Sequence, residues 1–298
     1  MMNDQMTKQI ADRQGFIAAL DQSGGSTPRA LHNYGIPANA YASEAEMFDL
    51  VHEMRTRMIK SPAFTGEKVI GAILFERTAE NAVDGVPTAK YLWEQRGVVP
   101  FIKVDKGLAD ASDGVKLMKP MPDLDKMLDR ANELSIFGTK MRSVIDAANP
   151  TGIAAITAQQ FEVGQQILAK GLMPILEPEI TITIEDKAEA EHLLRDEILK
   201  HLDQLPANQQ VMLKLSLPEA ANHYKALVDH PRTLTVVALS GGYPRAQSNA
   251  MLAQNAGMIA SFSRGFSEGL HVEMTDDAFD AMIAESIQSI YSASVAGD

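Results

Sequence analysis

Cysteine is absent from the 298-residue chain. Its absence excludes disulfides, cysteine zinc sites, cysteine-bound clusters and cysteine nucleophiles together. The chain also lacks any stretch near the roughly 18 apolar residues that a membrane helix needs. Its polar N-terminus, MMNDQMTKQIADRQ, has no secretion-signal pattern. These absences predict a soluble, cytoplasmic protein.

Positive charge is scarce, and blocks of like charge are missing. Lysine and arginine number 27 against 39 aspartates and glutamates, which gives a formal net charge of −12. This balance argues against binding to nucleic acids or to anionic membranes. A small basic pocket on an acidic surface can still bind a phosphorylated substrate. With 45% hydrophobic residues and no low-complexity tract, the chain can bury a large core.

Histidine pairs with metal-binding spacing are also absent. The seven histidines form no HxH or HxxxH pair, and none falls within a predicted strand. Surface or helix positions fit them better than metal ligation does. We therefore predict no metal site and no cofactor.

Short apolar runs alternate with longer amphipathic stretches along the chain. Eight runs have the near-continuous apolar character of strands buried on both faces: 15–21, 69–76, 98–105, 136–142, 172–180, 210–217, 233–242 and 257–265. The helix-like stretches are 44–60, 87–96, 123–134, 157–170, 185–203, 218–229, 244–255 and 276–292. Eight such units predict an α/β fold, a single (β/α)₈ TIM barrel.

The composition shows no break that would separate two domains. We predict one barrel domain over 1–298, with 1–14 as an N-terminal extension and 276–298 as a C-terminal helix and tail. The long first connection, 22–68, has room for an extra helix. The alternative fold is a doubly wound open sheet, but its GxGxxG phosphate fingerprint is absent after the first strand.

Charged residues end or interrupt most of the strand-like runs. They are Asp21, Lys103, Asp105, Lys140, Arg142, Glu177, Glu179 and Lys214. In a barrel, the carboxyl ends of the strands meet around one mouth, where barrel enzymes have their active sites. Three lysines and three or four carboxylates are therefore expected to converge there.

Lys214 lies in the middle of the apolar run QVMLKLSL. Because burial of an ammonium is costly, this lysine is either a strand-end residue in a salt bridge or a functional amine. In the functional interpretation, desolvation and the cations Lys140 and Lys103 favour the neutral amine. A neutral amine can attack a ketone and form an iminium, which accepts an electron pair.

The carboxylates allow two interpretations each. Glu177 either balances the lysine charges or acts as the general acid/base that imine formation requires, and Glu179 has a balancing or a direct role. Asp21 either caps the turn that follows it or handles the proton of a substrate hydroxyl.

Two groups of loop residues suit phosphate. The first group follows or ends the seventh and eighth runs, where barrels often bind phosphate, and comprises Ser240, Gly241, Gly242, Ser263, Arg264 and Gly265. The second group comprises Ser23, Ser26 and Arg29 after the first run, together with Lys103 near the end of the third. Two phosphate sites on either side of an imine lysine would suit a bisphosphorylated ketose.

Seven motifs occur in a fixed order between residues 15 and 265: ALDQSGGS (19–26), FIKVDKG (101–107), TKMR (139–142), ILEPEI (175–180), MLKLS (212–216), LSGG (239–242) and SFSRG (261–265). Together they resemble the class I (Schiff-base) fructose-bisphosphate aldolases, in their short bacterial form. The resemblance implies a metal-independent lyase of glycolysis that reversibly cleaves fructose 1,6-bisphosphate to dihydroxyacetone phosphate and glyceraldehyde 3-phosphate.

The resemblance also implies roles for single residues. Lys214 would be the Schiff-base residue and Glu177 the proton acceptor, with Asp21, Lys140 and Arg142 as charged catalytic or substrate-orienting groups. The residues implied at the 1-phosphate are Ser240, Gly241 and the neighbours of Gly265, and those towards the 6-phosphate are Ser23, Ser26 and Lys103.

Three departures from the animal-type enzymes stand out. Arg264 follows Ser263 directly, where those enzymes have Tyr-Gly-Arg, and Met141 replaces a usual tryptophan. The sequence ends in SVAGD, with Tyr291 the nearest tyrosine, where those enzymes have a terminal one.

Two alternatives stay open beside this assignment. A different Schiff-base aldolase or transaldolase-like enzyme would need only one phosphate site. A non-catalytic phosphosugar-binding barrel would share the fold without the reaction. The helix faces carry no clear partner signal, so the sequence does not decide between a monomer and a homo-oligomer.

Overall fold

Eight parallel strands form a nearly closed barrel in the computed structural model, which describes residues 3–12, 14–23 and 26–296. In chain order they are β1 Phe16–Leu20, β2 Val69–Leu74, β3 Val99–Lys103, β4 Gly138–Ile145, β5 Met173–Ile180, β6 Val211–Ser216, β7 Thr233–Leu239 and β8 Met258–Ala260. Each strand pairs with the next one along the chain. Between the last strand and the first, the amide of Ala19 donates to the carbonyl of Phe262 at 3.4 Å. The predicted (β/α)₈ TIM barrel is confirmed.

Helices connect the strands and cover the outside of the barrel. They are α1 Asp4–Asp12, α2 Thr27–Asn33, α3 Glu44–Lys60, α4 Glu76–Glu80, α5 Thr88–Arg96, α6 Leu124–Glu133, α7 Pro150–Ala169, α8 Lys187–Gln204, α9 Lys225–Val228, α10 Arg245–Leu252, α11 Arg264–Ser267 and α12 Asp276–Ser294. The shorter elements are a 3₁₀ turn Ala38–Ala40, a hairpin of Ala82–Val83 with Val86–Pro87, and a strand Val115–Lys116 antiparallel to β4. No helix within the described residues is long and apolar enough to cross a membrane.

The barrel strands separate two apolar cores. In β1, Phe16, Ala18 and Leu20 belong to the large core between strands and helices, whereas Ile17 belongs to the smaller core inside the barrel. Successive side chains of a strand face opposite sides, so burial on both sides requires apolar residues at nearly every position. This requirement explains the near-continuous apolar runs of the sequence.

Helix α1 closes the amino end of the barrel. Met6 and Ile10 pack into the inner core. The side-chain amide of Gln9 donates to the carbonyls of Ile70 (2.9 Å) and Gly97 (2.5 Å), which lie near the starts of β2 and β3. The predicted N-terminal extension, residues 1–14, thus contains a helix that completes the core. Residues 1, 2, 13, 297 and 298 of the two predicted terminal segments lie outside the described residues.

Most predicted helices agree with the structure, but two differ. α7 begins at Pro150 rather than at 157, because the side chain of Asn149 caps it by accepting from the amides of Thr151 and Gly152. The predicted helix 218–229 was wrong, since only the four residues of α9 are helical. Asn222 has a φ of 59°, a left-handed conformation that a right-handed helix cannot include.

A buried ion pair holds the segment that leaves β6. Lys187 and Glu191 pair on α8, and each is only 1% exposed. Lys187 Nζ also donates to the carbonyl of Leu217 (2.9 Å), and Glu191 Oε2 accepts from the amide of Glu219 (3.1 Å). The pair therefore ties α8 to the chain just beyond the strand that carries Lys214.

Replacing Lys187 with methionine is expected to lower the free energy of unfolding by about 3–5 kcal/mol, because Glu191 would keep a buried charge without its cation. Combining Lys187→Met with Glu191→Gln removes that charge and keeps an acceptor for the Glu219 amide. The double variant is expected to recover part of the loss. Urea unfolding of the two variants measures the difference, and a single variant as stable as the parent protein would contradict it.

Candidate active site

A cavity of about 870 Å³ lies at the carboxyl ends of the barrel strands. The predicted site residues that line it are Asp21, Ser23, Ser26, Lys103, Lys140, Arg142, Glu177, Glu179, Lys214, Ser240, Gly241, Ser263 and Arg264. Gly242 and Gly265 are not among the lining residues. The convergence expected from the strand ends is therefore present in the structure.

Four buried charges form a continuous row inside this cavity. Lys140 Nζ lies 2.6 Å from Asp21 Oδ2 and 2.9 Å from Glu177 Oε2. The other oxygen of this glutamate, Oε1, lies 3.0 Å from Lys214 Nζ. All four residues are at most 7% exposed. Each carboxylate thus contacts a lysine, and Glu177 bridges the two lysines.

Strand geometry explains how these side chains reach the same space. In β4, Lys140 and Arg142 are two residues apart and both line the cavity. Met141 between them belongs to the large core between strands and helices. The parallel register aligns Arg142 with Glu177 of β5. The charged pairs of neighbouring strands therefore lie side by side at the mouth.

Lys214 lies where two strands begin to separate. The ladder between β5 and β6 pairs Leu176 with Leu213 as its last described pair. Further along, the hydroxyl of Ser216 accepts from the amide of Ile180 (3.0 Å) and donates to its carbonyl (2.7 Å). This side-chain bridge holds the end of β6 against β5 and so fixes the backbone that carries the lysine.

The buried charges of this row shift the pKa values of their neighbours. Burial alone would raise the pKa of Asp21, but the positive charges of Lys140 and Lys214 outweigh it, and this pKa lies well below its usual range. Burial alone would lower the pKa of Lys140, but Asp21 and Glu177 raise it well above its usual value. At neutral pH, Asp21 is therefore a carboxylate that can accept a proton, and Lys140 is a fixed cation.

Asp105 organises the side of the cavity next to this row. Its Oδ1 pairs with Lys103 Nζ at 2.8 Å, and its Oδ2 accepts from the amide of Arg142 at 3.1 Å. The guanidinium of Arg142 in turn pairs with Glu179 at 2.5 Å. Asp105 ends the third apolar run, but the sequence does not show that it would bind two predicted site residues.

The turn after β7 depends on two consecutive glycines. Gly241 has a φ of 60° and Gly242 a φ of 133°, which favour glycine. A Cβ on Gly241 would lie 2.5 Å from the side chain of Ile182, and one on Gly242 would lie 3.4 Å from Arg264 Nη2. The turn thus brings a bare backbone close to the arginine that follows β8.

The turn after β1 is held by its own serines. The hydroxyl of Ser26 accepts from the amide of Ser23 (3.2 Å) and donates to its carbonyl (2.9 Å). Gly24 and Gly25, which complete the motif ALDQSGGS, lie outside the described residues.

The predicted Arg29 also lines the cavity, together with two further cations, Arg77 and Lys106. Lys106 pairs with Glu76 at 2.9 Å. Arg77 and Lys106 follow β2 and β3, so the rule that strand ends meet at the mouth would have predicted them too. Within the described residues, no group of three or more His, Asp and Glu side chains is placed to hold a metal ion. The exposed cations of this cavity instead suit the phosphate groups of a substrate.

The amino-acid sequence is similar to those of known proteins over nearly its whole length. Residues 4–251 match the family model for fructose-bisphosphate aldolase class-I. The chain is 56% identical over 293 residues to fructose-bisphosphate aldolase class 1 of Synechocystis sp., covering 98% of each. It is 54% identical over 294 residues to the Porphyromonas gingivalis protein of the same name, covering 99% of this chain and 100% of that protein.

Among solved structures, the chain is similar to a fructose-bisphosphate aldolase from Plasmodium falciparum in complex with TRAP and a small-molecule inhibitor. The TM-score is 0.77, the sequence identity is 20%, and the match covers 98% of this chain and 93% of the other. At this identity the similarity supports the fold alone.

Proposed function

Because the chain belongs to the class I fructose-bisphosphate aldolase family, we propose that it reversibly cleaves fructose 1,6-bisphosphate to dihydroxyacetone phosphate and glyceraldehyde 3-phosphate. The reaction proceeds through a Schiff base on Lys214. The observation that carries this proposal is the contact of the buried Lys214 amine with Glu177, 3.0 Å apart at the mouth of the barrel.

The first half of the reaction forms the Schiff base. Glu177 first accepts a proton from the Lys214 ammonium, 3.0 Å away. The neutral amine then attacks the C2 carbonyl carbon, and a carbinolamine forms as a second proton moves from the nitrogen to the C2 oxygen. Glu177 returns its proton to the C2 hydroxyl, which leaves as water, and the nitrogen becomes a protonated iminium. The contacts of Glu177 support this role. Its Oε1 lies next to the reacting nitrogen of Lys214 and can exchange protons with it, while its Oε2 contacts Lys140.

The second half breaks the carbon–carbon bond. Asp21 accepts the proton of the C4 hydroxyl as the C3–C4 electron pair moves into the iminium and forms an enamine. Glyceraldehyde 3-phosphate leaves, and protonation at C3 followed by hydrolysis releases dihydroxyacetone phosphate. The ionised state of Asp21 supports its role as the base, and Lys140 keeps it in place at 2.6 Å.

Residues on two sides of the cavity bind the phosphates in this proposal. Ser240, Gly241 and the segment 263–265 hold one, with Arg264 close to the glycine turn. The residues at the other are Ser23, Ser26, Lys103 and Arg142, with Arg29 beside them. Glu179 positions Arg142 by pairing with it. The whole reaction takes place within one barrel domain. The cytoplasmic location stays a prediction.

Borohydride reduction in the presence of dihydroxyacetone phosphate tests the Schiff base. We expect a stable triose adduct on Lys214, identified by peptide mass mapping, because reduction converts the iminium to a secondary amine. Omitting the triose phosphate is the control for non-specific labelling. The site offers an internal comparison, since Lys140 lies in the same cavity and should stay unmodified.

Substrate choice tests the rest of the proposal. Cleavage of fructose 1,6-bisphosphate that EDTA does not affect is expected. Turnover of sedoheptulose or deoxyribose phosphates without turnover of the bisphosphate would contradict it. An adduct on a lysine other than Lys214 would contradict the assignment of the amine.

A further inference from the structure

Arg55 is a buried cation that lies behind the proposed active site. It is on α3, it is 1% exposed, and it is not among the residues that line the cavity. Its Nη2 donates to the carbonyl of Gln22 at 2.6 Å, and its Nη1 donates to the hydroxyl of Thr78 at 2.7 Å. Both partners are uncharged, so these bonds do not neutralise the guanidinium.

Burial of this charge needs a reason. Burial lowers the pKa of Arg55 to about 10, and the negative charge of Asp21 opposes this shift. The group therefore keeps its charge at neutral pH, although a charge in the interior is costly without compensation. Val51 and Met58, on the same face of the helix, are both 1% exposed. An apolar side chain at position 55 would have continued that face without this cost.

One partner of Arg55, Gln22, directly follows Asp21, the proposed base. The parallel ladder between β1 and β2 ends with the pair Leu20–Leu74, so Asp21 lies beyond the last ladder pair. The bond from Arg55 to the Gln22 carbonyl fixes the chain immediately after Asp21. The bond to Thr78 anchors the guanidinium to α4, which follows β2.

We propose that Arg55 is a positioning residue for Asp21. Its guanidinium holds the Gln22 carbonyl and thereby fixes the strand end from which the Asp21 carboxylate reaches Lys140 and the C4 hydroxyl of the substrate. The positive charge behind Asp21 also favours its ionised form. Arg55 touches no substrate, so its effect reaches the reaction only through Asp21. This inference rests on the proposed function, since it assumes that Asp21 accepts the hydroxyl proton.

Two reactions of the same enzyme separate a positioning role from a structural one. Cleavage of fructose 1,6-bisphosphate requires Asp21. Exchange of a C3 hydrogen of dihydroxyacetone phosphate with solvent requires the iminium and the enamine but breaks no carbon–carbon bond, so it does not require this base. The ratio of the two rates therefore reports on the base alone.

Replacing Arg55 with methionine is expected to lower cleavage at saturating substrate by about 100-fold, the scale of a small misplacement of a reacting group. Exchange, followed by proton NMR in deuterium oxide, is expected to stay near the parent rate. Arg55→Lys keeps the cation but not the two-pronged donor geometry, so a smaller fall in the ratio is expected. Thr78→Val removes only the bond that orients the guanidinium, and the ratio should fall in the same direction.

Lys187→Met is the matched control, because it removes another 1% exposed cation, one that pairs with Glu191 on α8. It is expected to lower stability and leave the ratio unchanged. Arg55→Lys and Thr78→Val carry the test if Arg55→Met does not fold. An unchanged ratio in the Arg55 and Thr78 variants would overturn the inference. Failure of the proposed function is distinct, since the parent protein would then show neither cleavage nor exchange.

Discussion

Replacement of Lys214 by methionine is expected to reduce cleavage of fructose 1,6-bisphosphate by about 10⁵-fold or more, as loss of a covalent nucleophile does in other enzymes. Without the amine no iminium forms, and the electron pair of the C3–C4 bond has no acceptor. Methionine has a similar length and no charge, so it suits the apolar surroundings in β6. Steady-state kinetics with a coupled triose phosphate assay measures the loss.

The fold is expected to survive this replacement. Glu177 keeps Lys140 at 2.9 Å when Lys214 is removed, so the carboxylate is not left without a cation. Urea unfolding and binding of fructose 1,6-bisphosphate serve as controls, because the loops proposed to bind phosphate are untouched. A variant that folds, binds the sugar and still cleaves it at more than a tenth of the parent rate would rule out the Schiff base on this lysine.

Replacement of Lys140 by methionine is expected to affect both catalysis and stability. Asp21 and Glu177 share this one cation at 2.6 and 2.9 Å, so both lose it together. We expect cleavage to fall by about 10³-fold, the range for an acid/base group, because Asp21 and Glu177 would lose the cation that positions them. We also expect the free energy of unfolding to fall by about 3–5 kcal/mol near neutral pH, because a buried carboxylate would remain uncompensated.

The stability loss should depend on pH in a defined direction. In the parent protein the pKa of Asp21 is lowered, so its contribution to stability is present above the unfolded value of 3.8 and is lost as the pH falls further. In the variant, burial would raise this pKa, and protonation in acid would relieve the cost. Lys140 itself has a raised pKa, so its contribution stays constant until the pH approaches its unfolded value of 10.5.

The difference in unfolding free energy between parent and Lys140→Met is therefore expected to be larger at about pH 7.5 than at about pH 4.5. Urea unfolding at both pH values measures it. Lys140→Arg keeps the cation and is the matched control, for which no such pH dependence is expected. An equal or larger difference in acid would show that Asp21 is not stabilised by this lysine.

The strand ends were predictable because their chemistry is local. Lys140 and Arg142 share a face in any strand, as do Glu177 and Glu179, and a barrel brings such ends to one mouth. Which lysine contacts which carboxylate was not predictable. That pairing depends on the register between strands, such as Arg142 beside Glu177, and on the closure of the whole barrel.

Arg55 and α1 show two other limits of the sequence. Arg55 follows Val51 by four residues and precedes Met58 by three, so the spacing in the sequence already places a charge on an apolar helix face. Its partner was not, because Gln22 lies on a different element. In α1 the buried residues Met6, Gln9 and Ile10 have helical spacing, but only two of them are apolar. Its identity as a helix depends on contacts with strands far along the chain.

This dependence has a consequence for the order in which the protein assembles. α1 precedes every strand of the barrel in the sequence, yet it rests on Ile70 and Gly97 and shares the inner core with Val237 of β7. The surface on which α1 packs is not complete until β7 has been synthesised. The inner-core contacts of Met6 and Ile10 can therefore form completely only after β7 has been synthesised. The amino end of the barrel is then closed by the earliest of its elements in the sequence, after the strands have assembled.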